Sequence, residues 1–166
     1  IPPITKKKRK ANRSKKVGLP AGSLVYFGNK EKPLNIEVIS YNDSSYSMKK
    51  VVSAEEALNF ITDSCITWLN VNGLKLGNYV QLNNLLLEDI LDTEHRPKVE
   101  ILDEHILVII KMLYYGKDEQ LISEHLALVL GKNYLITFQE SEDEDVFDPV
   151  RKRLQNADSS LRKRPA

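Results

Sequence analysis

Two adjacent carboxylates, Glu88 and Asp89, are the side chains in this sequence best suited to bind a metal ion. They follow an apolar run, and the chain becomes extended again at Arg96-Pro97, because a residue before proline is pushed out of the helical region. Oxygen ligands suit a hard cation such as Mg²⁺, which keeps most of its water molecules and needs only one or two carboxylates. Two carboxylates alone would bind it weakly, so we expect a third ligand from elsewhere, such as another subunit.

The spacing of leucine and isoleucine around this pair predicts a helix with one buried face. The apolar residues that would form this face lie four or five positions apart: Leu85, Leu86, Ile90 and Leu91. Such a helix turns Glu88 away from the core and places Asp89 near the edge of the buried face, where a second surface can reach it. A short amphipathic helix with a solvated acidic face is the simpler alternative that the same residues allow.

Other combinations of reactive side chains are less suited to chemistry. The three histidines, His95, His105 and His125, do not have the spacing of a zinc site, and Cys65 has no base near it in sequence. The acidic run over residues 140–148 lacks the alternation and the central glycine of a calcium loop, so we interpret it as a solvated loop. We therefore expect neither an enzyme nor an organic cofactor.

Length and composition are those of one soluble globular domain. The chain has 166 residues, of which 42% are hydrophobic and 28% charged. Its longest apolar runs, such as residues 106–110, are far shorter than a membrane span, so we do not expect it to cross a bilayer by itself. The single cysteine, Cys65, excludes an internal disulfide and fits a reducing compartment. Since the first residue is Ile1 rather than Met, we interpret the chain as a fragment of a longer protein.

The net charge of +1 conceals two oppositely charged parts. Residues 1–16 carry eight basic side chains and no acidic one, which leaves 16 basic and 23 acidic residues, a net charge of −7, for residues 17–166. The sequence predicts a disordered basic arm over residues 1–17 and a folded acidic domain over residues 18–166. An acidic domain attracts cations and is a poor nucleic-acid binder, and the arm has no aromatic residues for base stacking.

Hydrophobic patterns along the chain predict an α/β fold. Alternation and β-branched residues indicate strands over residues 24–27, 36–41, 46–52, 66–71, 98–103, 105–115, 121–130 and 134–138. The short break at residues 131–133 predicts a hairpin between the last two, from 126–130 to 134–138. Ser53 and Glu56 form a capping box, so a helix of roughly ten residues is expected to start at residue 54. A second helix should cover most of residues 75–92, and a third should start with Asp148 as N-cap. Residues 107–110 do not alternate, so both of their faces should be covered. The result is a central, strand-rich sheet with helices on both faces, an α/β sandwich.

Several blocks of this sequence resemble one known family. They are TWLNVNGL (67–74), LEDIL (87–91), RPKVE (96–100), LVLGKNYLITFQE (128–140) and DVFDPVR (145–151). In this order they resemble the N-terminal cytoplasmic domain of the CorA magnesium/cobalt transporters, from about Gly18 to the end of the chain. This sequence is shorter than the family pattern between Leu74 and Leu87, and it has Asn83-Asn84 where the family has His-Pro.

The resemblance implies a fold, a function and a role for the two carboxylates. The fold is an α/β/α sandwich with a central mixed parallel and antiparallel sheet. The resemblance also implies a divalent-cation-sensing domain on the cytoplasmic side of the cell membrane, homopentameric in the intact transporter, with Mg²⁺ as the cation and Co²⁺ as a second possibility. Asp89 would bind a cation between neighbouring protomers, and Glu88 would help to form a second site nearby. The partner carboxylate would lie on a long stalk helix after Ala166, and the protein would meet the membrane only through that C-terminal region.

Three other functions stay open from the sequence. The first is the cytosolic domain of the related zinc-transporting branch, which shares the fold and differs in metal selectivity. A metal-dependent hydrolase would need a second cluster of ligands. A nucleic-acid-binding protein would have to rely on residues 1–16, and its binding would be sensitive to salt.

Overall fold

A mixed β-sheet forms the centre of the protein in the computed structural model, which describes residues 35–72, 82, 84–116, 119–140 and 145–163. Its seven strands are β1 (Asn35–Tyr41), β2 (Tyr46–Val51), β3 (Ile66–Asn72), β4 (Lys98–Ile101), β5 (Ile106–Tyr115), β6 (Leu121–Leu130) and β7 (Tyr134–Gln139). Three short helices accompany them: α1 (Ala54–Leu58), α2 (Asn84–Leu91) and α3 (Asp148–Gln155). The predicted arm over residues 1–17 and the strand predicted over 24–27 lie outside the described residues.

The strands lie in the order β2-β1-β3-β7-β6-β5-β4. β3 and β7 are parallel, and every other neighbouring pair is antiparallel, which confirms a mixed sheet. The predicted hairpin between β6 and β7 is confirmed, with the amide of Gly131 donating to the Tyr134 carbonyl at 2.9 Å. A Cβ atom at Gly131 would lie 2.4 Å from the Tyr134 ring, so any larger residue there would force this ring to move.

The helices lie on both faces of the sheet, but they cover it thinly. The side that packs against α1 and α2, here called the α2 face, holds the main core. Six strands, β1, β2, β3, β5, β6 and β7, contribute inward-facing apolar residues to it: Ile36, Val38, Val51, Leu69, Val71, Leu107, Ile109, Ala127, Val129, Ile136 and Phe138. The opposite side, the α3 face, has a smaller cluster of Ile39, Trp68 and Leu154. The architecture is therefore α/β and mostly strands.

Three local predictions need correction. Residues 107–110 do alternate in burial, and Ile110 is 39% exposed, because the cluster under the short helix α3 includes no residue of β5. Asp148 is the first residue of α3 rather than its N-cap; Phe147 holds the cap position, without a side-chain hydrogen bond. The capping box is confirmed, since Ser53 Oγ accepts from the Glu56 amide at 3.1 Å, but the helix of roughly ten residues expected after it is only the five-residue α1.

The buried face of α2 is also shifted by one residue from the predicted one. Its buried side chains are Leu86, Leu87, Ile90 and Leu91, whereas Leu85 is 58% exposed. The described part of this helix begins at Asn84, and most of residues 75–83 lie outside the described residues. Because the buried stripe runs through Leu87 rather than Leu85, Glu88 and Asp89 both lie at the boundary between core and solvent.

Candidate metal site

The last turn of α2 carries Glu88 and Asp89, and a tight turn brings the chain back beside them. The backbone amide of Asp92 donates to the Glu88 carbonyl at 3.1 Å, and the side chain of Asp92 accepts from the Glu94 amide at 3.1 Å. A short side chain that bonds the backbone two residues onward is a common way to stop a helix and start a turn. The reversal places β4, which starts at Lys98, next to the end of the helix.

The carboxylate of Asp89 lies in a small cluster of charged side chains. Its Oδ2 atom accepts a hydrogen bond from Lys98 Nζ at 2.8 Å, and its Oδ1 atom lies 3.5 Å from His95 Nε2. Lys98 also donates to Glu100 Oε2 at 2.7 Å, so one ammonium group bridges two carboxylates. All of these groups come from residues 89–100, and the turn alone therefore assembles the cluster.

Lys98 is firmly charged in this position. Burial would lower the pKa of its ammonium group, but the hydrogen bonds to Asp89 and Glu100 outweigh burial, so that the pKa is raised. The side chains of Lys98 and Asp89 are 27% and 30% exposed, which leaves the pair accessible to ions from solvent. In the single chain, a lysine thus neutralises the carboxylate that the sequence selects as a cation ligand.

The chain by itself supplies an incomplete donor set for a metal ion. Glu88 is half-buried one position before Asp89, and together they offer two carboxylates on one helix turn. Within residues 35–72, 82, 84–116, 119–140 and 145–163, no group of three or more His, Cys, Asp or Glu side chains is arranged to hold a metal ion. The carboxylate chemistry fits a hydrated Mg²⁺ ion, and further ligands would have to come from outside these residues.

A buried polar network lies directly behind the turn, and sequence reasoning missed it. Lys111 Nζ on β5 donates to the carbonyl of Thr93 at 2.5 Å and lies 3.4 Å from Nδ1 of His125 on β6. His125 is fully buried, and burial, followed by the charge of Lys111, lowers its pKa to about 4. The backbone amide of His125 donates to Glu140 Oε2 at 3.3 Å. Lys111 and His125 are paired across the strands, and only the register, which the sequence does not show, brings them together.

A second buried cluster anchors α3 on the other face. Arg151 is 7% exposed and donates to Glu37 Oε2 at 2.6 Å, to Asp145 Oδ2 at 2.5 Å and to Asp148 Oδ1 at 3.1 Å. Asp145 belongs to the acidic run that we interpreted as a solvated loop, and its ion pair with a buried arginine corrects that interpretation at this residue. The sequence did contain one signal for part of this cluster. Asp148 and Arg151 are three residues apart, which is the spacing of an ion pair on one face of a helix.

Comparison with known protein families shows to which family this chain belongs. Residues 64–165 match the family model described as CorA-like Mg²⁺ transporter protein, which is more than half of the sequence. The chain belongs to the CorA-like Mg²⁺ transporter family. The matched region includes the whole cluster around Asp89. Since this is a family of transporters and not of enzymes, the expectation of a non-enzymatic protein is confirmed.

One sequence relative and two solved structures are similar to this chain. The chain is 37% identical over 161 residues to the cobalt/magnesium transport protein CorA of Thermotoga maritima, an alignment that covers 92% of this chain and 46% of that protein. The full-length CmaX protein has a similar fold, with a TM-score of 0.57 at 12% identity, covering 83% of this chain and 43% of that one. The soluble domain of CorA from Methanocaldococcus jannaschii follows, with a TM-score of 0.51 at 16% identity, covering 76% and 49%.

This CorA-family chain spans about half the length of the relatives that it matches. In the part of the chain that the structure describes, no helix is both long and apolar enough to cross a membrane.

Proposed function

We propose that this chain is the cytosolic divalent-cation-sensing domain of a CorA-type Mg²⁺/Co²⁺ transporter. In the intact homopentamer, Asp89, assisted by Glu88, binds a cation between neighbouring protomers on the cytoplasmic side of the membrane. The intact protein meets the membrane through a C-terminal region, and the fold of the domain is an α/β/α sandwich. The observation that best supports this role is the accessible carboxylate of Asp89 at the end of a helix whose other face is firmly packed.

Cation binding between protomers would hold the ring closed by electrostatics. A bound cation offsets the repulsion between carboxylates of adjacent protomers, whereas its loss lets the like charges separate and favours an open channel. Weak sites are sufficient for such a sensor. At a free cation concentration of ten times the Kd, each site stabilises the closed state by about 1.4 kcal/mol, and the five sites of a pentamer add.

The test is the Mg²⁺ concentration that protects the full-length pentameric transporter from limited proteolysis. Replacing Asp89 by Asn keeps the shape of the side chain and removes its charge, so half-maximal protection should require about tenfold more Mg²⁺ or not be reached, since losing a direct carboxylate ligand costs on the order of 1.4 kcal/mol or more. Asp103→Asn is the matched control, because Asp103 is exposed on the turn between β4 and β5. Wild-type protection in the Asp89→Asn variant would exclude Asp89 as a cation ligand.

The related zinc-transporting branch is the second candidate, and one contact favours it. His95 Nε2 lies 3.5 Å from Asp89 Oδ1, and imidazole together with carboxylate is a ligand combination that Zn²⁺ accepts. Repeating the protection experiment with Zn²⁺ separates the two functions. A zinc sensor would be protected at a far lower concentration of Zn²⁺ than of Mg²⁺, and a His95→Gln variant would lose this preference. In a magnesium sensor, the His95→Gln substitution would leave the Mg²⁺ concentration for half-maximal protection unchanged.

A further inference from the structure

We infer that Lys98 is an internal competitor for the divalent cation at Asp89, and that Glu100 retains its ammonium group when the cation binds. The inference rests on the proposed function, because it concerns the regulation of the same site. Lys98 Nζ lies 2.8 Å from Asp89 Oδ2 and 2.7 Å from Glu100 Oε2, so it occupies the space in front of one of the two carboxylate oxygens. A cation bound directly to that oxygen would take the place of the ammonium group.

The two cations exclude each other for electrostatic reasons. Mg²⁺ binds a carboxylate oxygen at about 2.0–2.1 Å, and an ammonium group left at its present position would face the ion at a separation of only a few ångströms. At such a distance the repulsion between a divalent ion and an ammonium group exceeds what a half-exposed ion pair gains. Direct cation binding at this oxygen therefore requires Lys98 to move.

Glu100 lowers the free-energy cost of this movement. Lys98 is already bonded to it, and Glu100 lies on β4 with a side chain that is 45% exposed. The lysine can give up Asp89, keep one carboxylate partner and turn into solvent without leaving a buried charge unpaired. Asp89 exchanges Lys98 for a divalent cation, and Glu100 keeps Lys98 in both states.

This exchange sets the concentration at which the site responds. A carboxylate that is occupied by an internal cation binds an external one with an affinity reduced by the fraction of time that it is free. For an ion pair of ordinary strength at this degree of exposure, the reduction is about two- to sixfold. The same pair neutralises Asp89 when divalent cations are scarce, so the carboxylate is not left bare in the cation-free state.

Two substitutions should shift Mg²⁺ binding in opposite directions. Lys98→Met keeps the length of the side chain and removes the competitor, so the Mg²⁺ concentration for half-maximal protease protection of the full-length transporter should fall about two- to sixfold. Glu100→Gln removes the negative charge that holds the ammonium group away from Asp89 and should raise that concentration. Lys50→Met is the control, because Lys50 is an exposed lysine on β2, at the opposite edge of the sheet, and should change it less than twofold.

A second measurement follows the lysine directly. In the NMR spectrum of the 166-residue chain, Mg²⁺ should shift the side-chain amine signal of Lys98 and leave that of Lys50 in place. Thermal unfolding of each variant verifies that it is folded. If Lys98→Met changes the Mg²⁺ requirement no more than Lys50→Met while Asp89→Asn still raises it, the competition is refuted and the proposed function stands. If Asp89→Asn has no effect either, the proposed function fails, and the competition fails with it.

Discussion

His125 is the residue whose environment makes the clearest prediction about pH. It is fully buried beside Lys111, and burial together with that charge lowers its pKa from 6.5 to about 4. Between these two values the unfolded chain binds a proton that the folded chain does not, so stability is complete above about pH 6.5 and is lost as the pH falls toward 4. The loss between pH 7 and pH 5 should be about 2 kcal/mol in the free energy of unfolding.

Urea unfolding at pH 7 and pH 5 measures this loss. In a His125→Gln variant the imidazole is gone, and the difference between the two pH values should shrink by about 2 kcal/mol, whatever the variant's stability at pH 7. The control is His105→Gln, because His105 is only half-buried on the turn before β5. An equal pH difference in the wild type and in the His125→Gln variant would contradict the prediction.

The sequence predicted two carboxylate ligands for the candidate site, but it did not show which side chains contact them. Glu88 and Asp89 stand out because two carboxylates follow an apolar run. The contact between Asp89 and Lys98 spans nine residues and depends on the geometry of the turn between them, which short-range patterns do not determine. A lysine two residues before a glutamate is typical of an ordinary surface strand. Only the structure shows that Lys98 bridges Asp89 and Glu100.

The helix α2 shows how far periodicity determines an element. The apolar run over residues 85–87 is continuous, so the pattern alone did not tell which two of the three leucines face the core. Burial of Leu86 and Leu87 instead of Leu85 turns the helix slightly, and it keeps Asp89 at the rim of the buried face. The strands were easier to predict, because alternation fixes both their type and their inward side.

A pair of substitutions in α2 tests this orientation. Ile90→Ala removes a fully buried side chain from the core and should lower the free energy of unfolding by about 2–5 kcal/mol. Leu85→Ala changes a side chain that is 58% exposed on the same helix, and its effect should stay within about 0.5 kcal/mol. Chemical denaturation of both variants gives the comparison, and similar losses would mean that α2 is rotated from the position described here.

The whole-molecule arrangement could not be derived from local patterns. The strand order puts β3 beside β7, with more than sixty residues between them, and it carries α2 and α3 to opposite faces of the sheet. Hydrophobic patterning predicted a sheet with helices on both faces, and the short turn at residues 131–133 predicted that β6 and β7 are neighbours. No local pattern indicated the other strand pairs. The resemblance to a family supplied the expectation of this fold, and family membership now supports it.

The incomplete ligand set and the acidic charge of the domain lead to a prediction about Mg²⁺ binding by the isolated chain. Its described residues offer two adjacent carboxylates, one of them paired with Lys98, and no group of three or more metal-binding side chains. Residues 17–166 carry a net charge of −7, which attracts divalent cations without specific ligation. We therefore expect the 166-residue chain to bind Mg²⁺ only in the millimolar range or more weakly, since one or two carboxylates do not form a complete site.

Isothermal titration calorimetry with Mg²⁺ on the 166-residue chain, compared with its Asp89→Asn variant at equal ionic strength, tests this expectation. The part of the heat that disappears in the variant belongs to Asp89, and the remainder reports the acidic surface and should fall with added salt. Micromolar binding to the isolated chain would mean that one protomer carries a complete site, and assembly would then not be needed to form it. Millimolar binding that becomes tighter in the full-length pentamer would place the missing ligands on a neighbouring protomer or in the C-terminal region.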